Sequence, residues 1–372
     1  MSTLHRRTYI VVDEAHLVPQ WGEEFRPMFK NICNVRSIDS NLISVLALTA
    51  TASVKLQKTI ASQLTMRKPV FLRSLPILNG NIKIIIRERP PSTGGNNKVE
   101  FAYDYIYKPV FLDLLMNADS FPLTIIYSKL KWCAYSYDLA KRILKDDMYL
   151  GTPCPENSRV VQYHSTQPEN VNSQIIEELK NNDRVKVVLA TIALGMGADL
   201  QNVKRIIHAG PPTSPEVYVQ EVGRAGRDGQ AAEAVLYFNN SDLAEKPVEN
   251  SMIEFVRLKS CRRQYLSTYF DAPIESVNNC CDVCSNDRSN IRGFKVPSLE
   301  QRHHVRLSLQ TYVNADSSGE LAFLLSEEKL QTIVHCFEYI RDETSLSSLL
   351  NANVPEAVSN SLFSILSLFQ NS

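Results

Sequence analysis

Seven short runs rich in Ile, Val and Leu recur along this chain and constrain its fold more than any other feature. They are Tyr9–Val12, Ser44–Leu48, Thr124–Tyr127, Val160–Tyr163, Lys186–Ala190, Lys204–His208 and Ala234–Phe238. Each is almost continuously apolar rather than alternating, which is the signature of strands buried on both faces of a parallel sheet. Helix-like stretches lie between them, among them Lys131–Lys145 and Glu169–Asn181, the second preceded by Pro168. Strand–helix alternation of this kind predicts an α/β architecture with right-handed crossovers. A length of 372 residues allows two to three domains, each with a sizeable core.

Two composition shifts suggest where domains change. Pro90–Lys98, PPSTGGNNK, is turn-rich and follows a strand-like run at Ile82–Arg87. Near Asn239 the strand pattern gives way to helical spacing in Met252–Phe270, and the tail from Ser285 onward is Leu-rich and mostly helical. Expected units are therefore residues 1–92, 93–240, 241–290 and a helical tail, 291–372, that carries no readable motif. Apolar residues make up 44%, which argues against wholesale disorder. The formal net charge is zero, so a nucleic-acid site would have to be a local basic patch. No stretch is long and apolar enough to span a bilayer, and the first residues lack the pattern of a secretory signal. Eight cysteines are too few for a disulfide scaffold; Cys33, Cys133, Cys154 and Cys336 are scattered, while Cys261, Cys280, Cys281 and Cys284 are grouped. That distribution suits a reducing, intracellular setting and one metal site.

VVDEAH, Val11–His16, places an acidic pair at the end of a buried strand, where open α/β sheets bind ligands. Asp13 can hold Mg²⁺ and Glu14 can orient an attacking water. Read alone, the same letters also describe a helix start, where acids favour the dipole. Further along come LALTATA (Leu46–Ala52), a strand ending in small hydroxyl residues, and VKVVLATIALGMGAD (Val185–Asp199), a strand followed by a glycine turn and an acid. VQEVGRAGRDG (Val219–Gly229) sets Arg224 and Arg227 three apart, a spacing that puts both on one face of a helical turn. Two guanidinium groups facing a phosphate can stabilise the charge of phosphoryl transfer; a basic surface turn is the plainer reading of the same residues.

In this order and company the motifs resemble those of superfamily-two helicases, and AHLVPQWGEEFRP (Ala15–Pro27) resembles the aromatic-rich loop of the RecQ family. The resemblance runs from Tyr9 to Cys284. It implies RecA-like parallel-sheet motor lobes, the first one incomplete, followed by a helical zinc-binding module. It further implies a 3′-to-5′ DNA helicase driven by ATP and Mg²⁺, acting on single-stranded DNA and single/double-strand junctions, nuclear if the source is eukaryotic. Asp13 and Glu14 take the metal-holding and water-activating roles. Thr49 and Thr51 link the nucleotide and DNA sites, and His16, Gly195, Asp199, Gln220, Arg224 and Arg227 face nucleotide, with Arg227 as arginine finger. Trp21, Phe25 and Arg26 sense single-stranded DNA, aromatic faces stacking on bases; without the resemblance, a Trp and a Phe would be read as core anchors. Thr191 and the Gly195–Gly197 turn lie near the DNA backbone, and Arg262 and Arg263 form a basic pair for DNA. Tyr163–His164 resembles the family, but the following STQPENVNSQ has no Arg where relatives usually carry one.

The resemblance gives Cys261, Cys280, Cys281 and Cys284 to one Zn²⁺, although the spacing alone also fits three ligands, or none. Nowhere does the sequence contain the Gly-Lys-Ser or Gly-Lys-Thr of a phosphate loop. A helicase fragment whose first lobe lacks that loop is expected to turn over ATP poorly by itself. A non-catalytic nucleic-acid-binding or regulatory protein is the competing expectation.

Overall fold

A computed structural model describes residues 8–21, 43–72, 76–90, 99–118, 120–181, 183–195, 200–244, 248–274, 278–285, 297–340, 342–350 and 354–370. The N-terminal unit is small. Strand β1 (Thr8–Val12) leads into the short helix α1 (Leu17–Trp21); β2 (Ile43–Ala47) leads into α2 (Val54–Gln63). The two strands pair in parallel, Val12 opposite Ala47. Ile10, Val12, Val45 and Ala47 turn towards Val18, Ile60 and Leu64 and form a compact core. The alternate residues Tyr9, Val11 and Leu46 point the other way and are exposed at 62%, 57% and 50%. Period-two alternation in a strand makes this split unavoidable.

The larger unit is built on a parallel sheet whose described strands run in the order β3-β8-β7-β4-β6-β5. These are β3 (Ile82–Glu88), β4 (Thr124–Tyr127), β5 (Val160–Tyr163), β6 (Val187–Ala190), β7 (Arg205–Ala209) and β8 (Ala232–Phe238). Strands β4 and β6, in the middle of one half of the sheet, are buried at every residue. Helices α3 (Val99–Met116) and α4 (Leu130–Leu144) share a core with Ile126, Leu189 and Ile207 on one face. On the other face Ile125, Val188 and Ile206 pack with residues of α6 (Pro215–Val222), α8 (Asn250–Arg257) and α9 (Arg262–Phe270). Helix α5 (Glu169–Asn181) follows β5, and α7 (Asn240–Ala244) follows β8.

Two sequence-based expectations change here. The run at Ile82–Arg87, assigned to the first unit, pairs over its whole length with β8 and forms an edge of the larger sheet. An apolar run specifies a strand but not its partner, and β8 presents a complementary edge. The helical spacing of Met252–Phe270 is interrupted: α8 ends at Arg257, and the ψ of 141° at the following Leu258 turns the chain before α9 begins. The tail is helical, as its composition predicts: α10 (Leu299–Asn314), α11 (Glu320–Leu324), α12 (Glu327–Cys336), α13 (Glu343–Leu350) and α14 (Glu356–Gln370). Its docking is not visible in the sequence. Val305, Leu309, Ile333, Leu346 and Leu362 belong to the same core as α3 and α4.

Polar pins reinforce the junction. Lys108 of α3 is fully buried and pairs with Asp104 at 3.0 Å and Glu338 at 3.3 Å. Arg302 of α10 donates to Glu338 at 2.7 Å and to the carbonyl of Val334. Two cations and two carboxylates thus neutralise one another in a water-poor seam, the arrangement a buried charge requires.

Candidate functional site

The acidic motif sits at the carboxyl end of β1. Leu48 N–H donates to Val12 O and Ala15 N–H to Leu48 O, both at 2.8 Å, so the ends of β1 and β2 are tied together. Glu14 adopts a left-handed φ of 49°, unusual for a residue with a Cβ. Its N–H donates to Asp13 Oδ1 at 2.9 Å. Both carboxylates face solvent. His16 is 6% exposed, and its Nδ1 lies 3.3 Å from Glu14 Oε2 and 3.1 Å from Thr49 Oγ1. Burial lowers the His16 pKa and the Glu14 charge opposes that shift. Thr51 N–H donates to Thr49 Oγ1 at 3.3 Å. One imidazole therefore connects the acidic motif to the LALTATA strand end. Trp21 closes α1, but its side chain, Phe25 and Arg26 lie outside the described residues.

In the larger unit, α6 begins with Ser214 capping Val217 N–H and with Pro215 in its first turn, a favoured pair for a helix start. Gln220 is half-buried on this helix. Glu221 is buried and meets His208 Nε2 at 2.9 Å; the His208 ring lies between Tyr127 and Tyr218. The helix stops at Val222, so the two arginines sit on a non-helical turn, and the one-face placement expected from their spacing does not hold. Arg224 is 4% exposed, whereas Arg227 is exposed with its Nε donating to Gly223 O at 3.2 Å. Both still act on one point. The Tyr127 hydroxyl is pushed up by burial and by Glu221, and Arg224 and Arg227 oppose that push.

Thr191 follows β6, and its N–H donates to Tyr163 O at 3.1 Å. Gly195 ends the 3₁₀ turn Ile192–Gly195, while Gly197 and Asp199 lie outside the described residues. An open cleft of about 500 Å³ at the carboxyl end of β5 is lined by Tyr163, Ser165, Gln167, Glu169, Asn172 and Ser173. These are neutral or acidic groups where relatives were expected to carry an Arg.

Arg262 and Arg263, expected to contact DNA, are 4% and 5% exposed. Arg262 grips Asp282 through Nε at 2.8 Å and Nη2 at 3.0 Å, and donates to Phe255 O. Arg263 donates to the carbonyls of Leu78, Asn79 and Ile82 at 2.6–2.8 Å. Neither guanidinium is presented to a phosphate, so the DNA-contact assignment is corrected. A planar fork with five donors suits carbonyls converging inside a fold as well as it suits phosphate. Nothing in the letters RR distinguishes the two uses.

The four grouped cysteines do converge. Cys261 caps α9, and Cys280, Cys281 and Cys284 come from the loop beyond it. Their Sγ atoms all lie within 4.8 Å of one another, with Cys261 and Cys280 at 3.6 Å. A tetrahedral ion with bonds of about 2.3 Å needs sulfurs about 3.8 Å apart, so the set fits one. Asn279, at φ 56°, supplies the sharp turn that lets the adjacent Cys280 and Cys281 share a pocket. Burial raises the Cys280 thiol to about 11, and neighbouring Cys261 adds to the rise. At Cys261 burial acts upwards too, but the Gln264 amide and the neighbouring thiols outweigh it and the pKa falls. The loop is held on the sheet edge: Ile84 N–H donates to Cys280 O at 3.1 Å and Asp282 N–H to Ile84 O at 2.9 Å. Sequence reasoning missed His208, Asp282 and Asn81, which act through pairings remote in the chain. Glu221 lay inside a quoted motif with no role assigned.

Known proteins similar to this chain are helicases. Residues 110–229 match the helicase conserved C-terminal domain, a span that ends on the arginine turn. An ATP-dependent DNA helicase RecQ from Haemophilus influenzae is 30% identical over 294 residues, covering 74% of this chain and 42% of the relative. The RecQ-like DNA helicase BLM of Xenopus laevis is 29% identical over 314 residues, 76% of this chain and 21% of the relative. A RecQ helicase from Pasteurella multocida is 29% identical over 351 residues, 88% of this chain and 49% of the relative. The chain thus spans less than half the length of each. With its parallel-sheet α/β core, its acidic motif at a strand end and this likeness over most of its length, the chain belongs to the RecQ family of superfamily-two helicases.

Proposed function

We propose that this chain is part of the motor of an ATP-dependent 3′-to-5′ DNA helicase that tracks single-stranded DNA and opens duplex at junctions. The observation that carries the reading is the His16 bridge. One buried imidazole joins Glu14, of the acidic motif, to Thr49, of the LALTATA strand end. In such a motor, Asp13 holds Mg²⁺ and Glu14 orients the attacking water, while Arg224 and Arg227 stabilise charge on the γ-phosphate. His16 reports the state of Glu14 to Thr49. Trp21, Phe25 and Arg26, with Thr191, are assigned to single-stranded DNA. Asp199, Gly195 and Gln220 complete the nucleotide-facing set.

Four thiolates at Cys261, Cys280, Cys281 and Cys284 would hold Zn²⁺, which supplies folding energy to a small module. A non-catalytic, nucleic-acid-binding role is favoured by one fact alone: the 372 residues contain no Gly-Lys-Ser or Gly-Lys-Thr loop. Alignment of the triphosphate supplies much of the rate in phosphoryl transfer, and Asp13 and Glu14 repel a triphosphate that no lysine compensates.

The test is ATP turnover with and without single-stranded DNA. Residues 1–372 should be inactive, and a fusion to the phosphate-loop segment of a close relative should be DNA-stimulated. Glu14→Gln or Arg227→Ala in the fusion should abolish turnover. Robust turnover by the unfused chain would contradict the role given to the phosphate loop. A folded, DNA-binding fusion without turnover would favour the binding-only reading.

A further inference from the structure

We infer that Asn81 is a positioning residue for the Arg224–Arg227 turn, and that the four-cysteine site acts on that turn through it. The inference rests on the proposed reading of the cysteines as a zinc site and of the arginines as nucleotide-facing.

Within the turn, Ala225 N–H donates to Val222 O at 3.0 Å, Gly229 N–H to Gly226 O at 3.1 Å and Arg227 Nε to Gly223 O at 3.2 Å. Helix α6 ends at Val222, and Gly226 takes a left-handed φ of 63°. Gly226 N–H is secured by Val203 O at 2.9 Å. The carbonyls on the far side are secured by a residue from a different part of the chain. Asn81 Nδ2 donates to Gly226 O at 2.8 Å and to Gln230 O at 2.5 Å, spanning the turn from its middle to its exit. The Asn81 backbone carbonyl accepts from Ala232 N–H at 3.0 Å, fixing the amide where β8 begins. A primary amide is well suited to this, because one nitrogen supplies two donors. The approach is close: a Cβ at position 226 would stand 2.5 Å from Asn81 Nδ2. Glycine there serves both the φ and the contact.

Asn81 is itself held from the cysteine module. Arg263 closes on the carbonyls of Leu78, Asn79 and Ile82, the segment that contains Asn81. Arg263 stands two residues after Cys261 on α9. Its neighbour Arg262 is clamped to Asp282, which lies between Cys281 and Cys284. The cysteine loop also pairs with β3 on both sides of Ile84, three residues beyond Asn81. The route from thiolates to arginines therefore consists of named hydrogen bonds, buried or half-buried up to Gly226 and exposed at Gln230: cysteine pocket, Arg263, residues 78–82, Asn81, Gly226 and Gln230.

Metal binding in a small thiolate module is also folding energy. Removing the ion frees the two elements at the cysteine end of the route, α9 and the cysteine loop, and so loosens the grip on Asn81. Zinc occupancy then sets how well Arg224 and Arg227 are ordered.

Hydrogen exchange measures that order without relying on ATP turnover. The full chain, its bound zinc first counted by metal analysis, is compared with Asn81→Ala, each before and after chelation. Peptides covering residues 223–232 are followed, with peptides from β4 and β6 as references. In Asn81→Ala with zinc retained, exchange in 223–232 should quicken about tenfold, as expected when two neutral hydrogen bonds are lost, while β4 and β6 stay unchanged. Chelation of the wild-type chain should quicken the same segment. Chelation of Asn81→Ala should add less than about twofold, because the two changes cut one route. Asn81→Gln, which keeps the amide, should fall between wild type and Asn81→Ala. Unchanged protection in Asn81→Ala would overturn the positioning role. Equal chelation effects in both proteins, or simultaneous loosening of β4 and β6, would overturn the coupling. A chain that holds no zinc as purified sinks the zinc reading itself, which the metal analysis identifies before any exchange is measured.

Discussion

Replacing Lys108 with Met tests how the helical tail is attached to the motor sheet. Lys108 is fully buried, 3.0 Å from Asp104 and 3.3 Å from Glu338, and also donates to His335 O. Asp104 and Glu338 are at most 7% exposed at their side chains. Met fills the volume of the lysine stem but removes the charge, leaving Arg302 alone to balance two carboxylates. Removing one partner of a buried ion pair costs roughly 3–5 kcal/mol, because the remaining charge stays uncompensated. For a unit of this size that corresponds to a fall in Tm of about 10 °C. The assay is urea unfolding followed by circular dichroism and by tryptophan fluorescence. Trp132 suits the purpose, being buried and stacked on Tyr103 of α3 at 3.7 Å. Adding Glu338→Gln restores charge balance between Arg302 and Asp104, so the double variant should recover part of the loss. A cost below about 1 kcal/mol, or full additivity of the two substitutions, would refute the account of the seam as a mutually neutralised network.

Other consequences are as direct. Burial, with Lys108 and Arg302 nearby, lowers the His335 pKa to about 4. The unfolded chain takes up this proton near pH 6.5 and the folded chain only near 4, so stability should fall as pH drops through that window. His335→Gln should flatten that part of the urea midpoint measured from pH 7 to pH 4.5, and an unaltered pH dependence would exclude the residue. Arg262→Ala should destabilise the chain by roughly 2–4 kcal/mol by orphaning Asp282, while leaving the salt slope of single-stranded DNA binding unchanged. A slope reduced by about one at unchanged stability would restore the DNA-contact assignment. Purified, reduced protein should contain about one equivalent of zinc, and Cys281→Ser or Cys284→Ser should each lower both metal content and Tm; full stability after chelation would argue against a structural ion.

The sequence by itself determined the kind of protein this is. Continuous apolar runs can be satisfied only by strands covered on both faces, so Thr124–Tyr127 and Val187–Ala190 were readable as the interior of a parallel sheet. The four cysteines were legible because thiolates grouped in this way have few other uses in a chain with too few cysteines for a disulfide scaffold, and their sulfurs do meet. Asp13, Glu14, Arg224 and Arg227 could be proposed from the sequence because short motifs at strand and helix ends carry their chemistry in local order. Only the tertiary structure decided which partner each element would meet. Ile82–Glu88 was a strand in either reading, but its pairing with β8 depends on an edge some 150 residues away. The buried fate of Arg262 and Arg263 depends on carbonyls at Leu78, Asn79, Ile82 and Phe255 that no local pattern announces. The tail's helices were predictable from their leucines, but their seat on α3 required Lys108 and Arg302 to meet Glu338 across the fold. Local propensity and periodicity act over a few residues, whereas compensation of buried charges and carbonyls is a property of the packed whole.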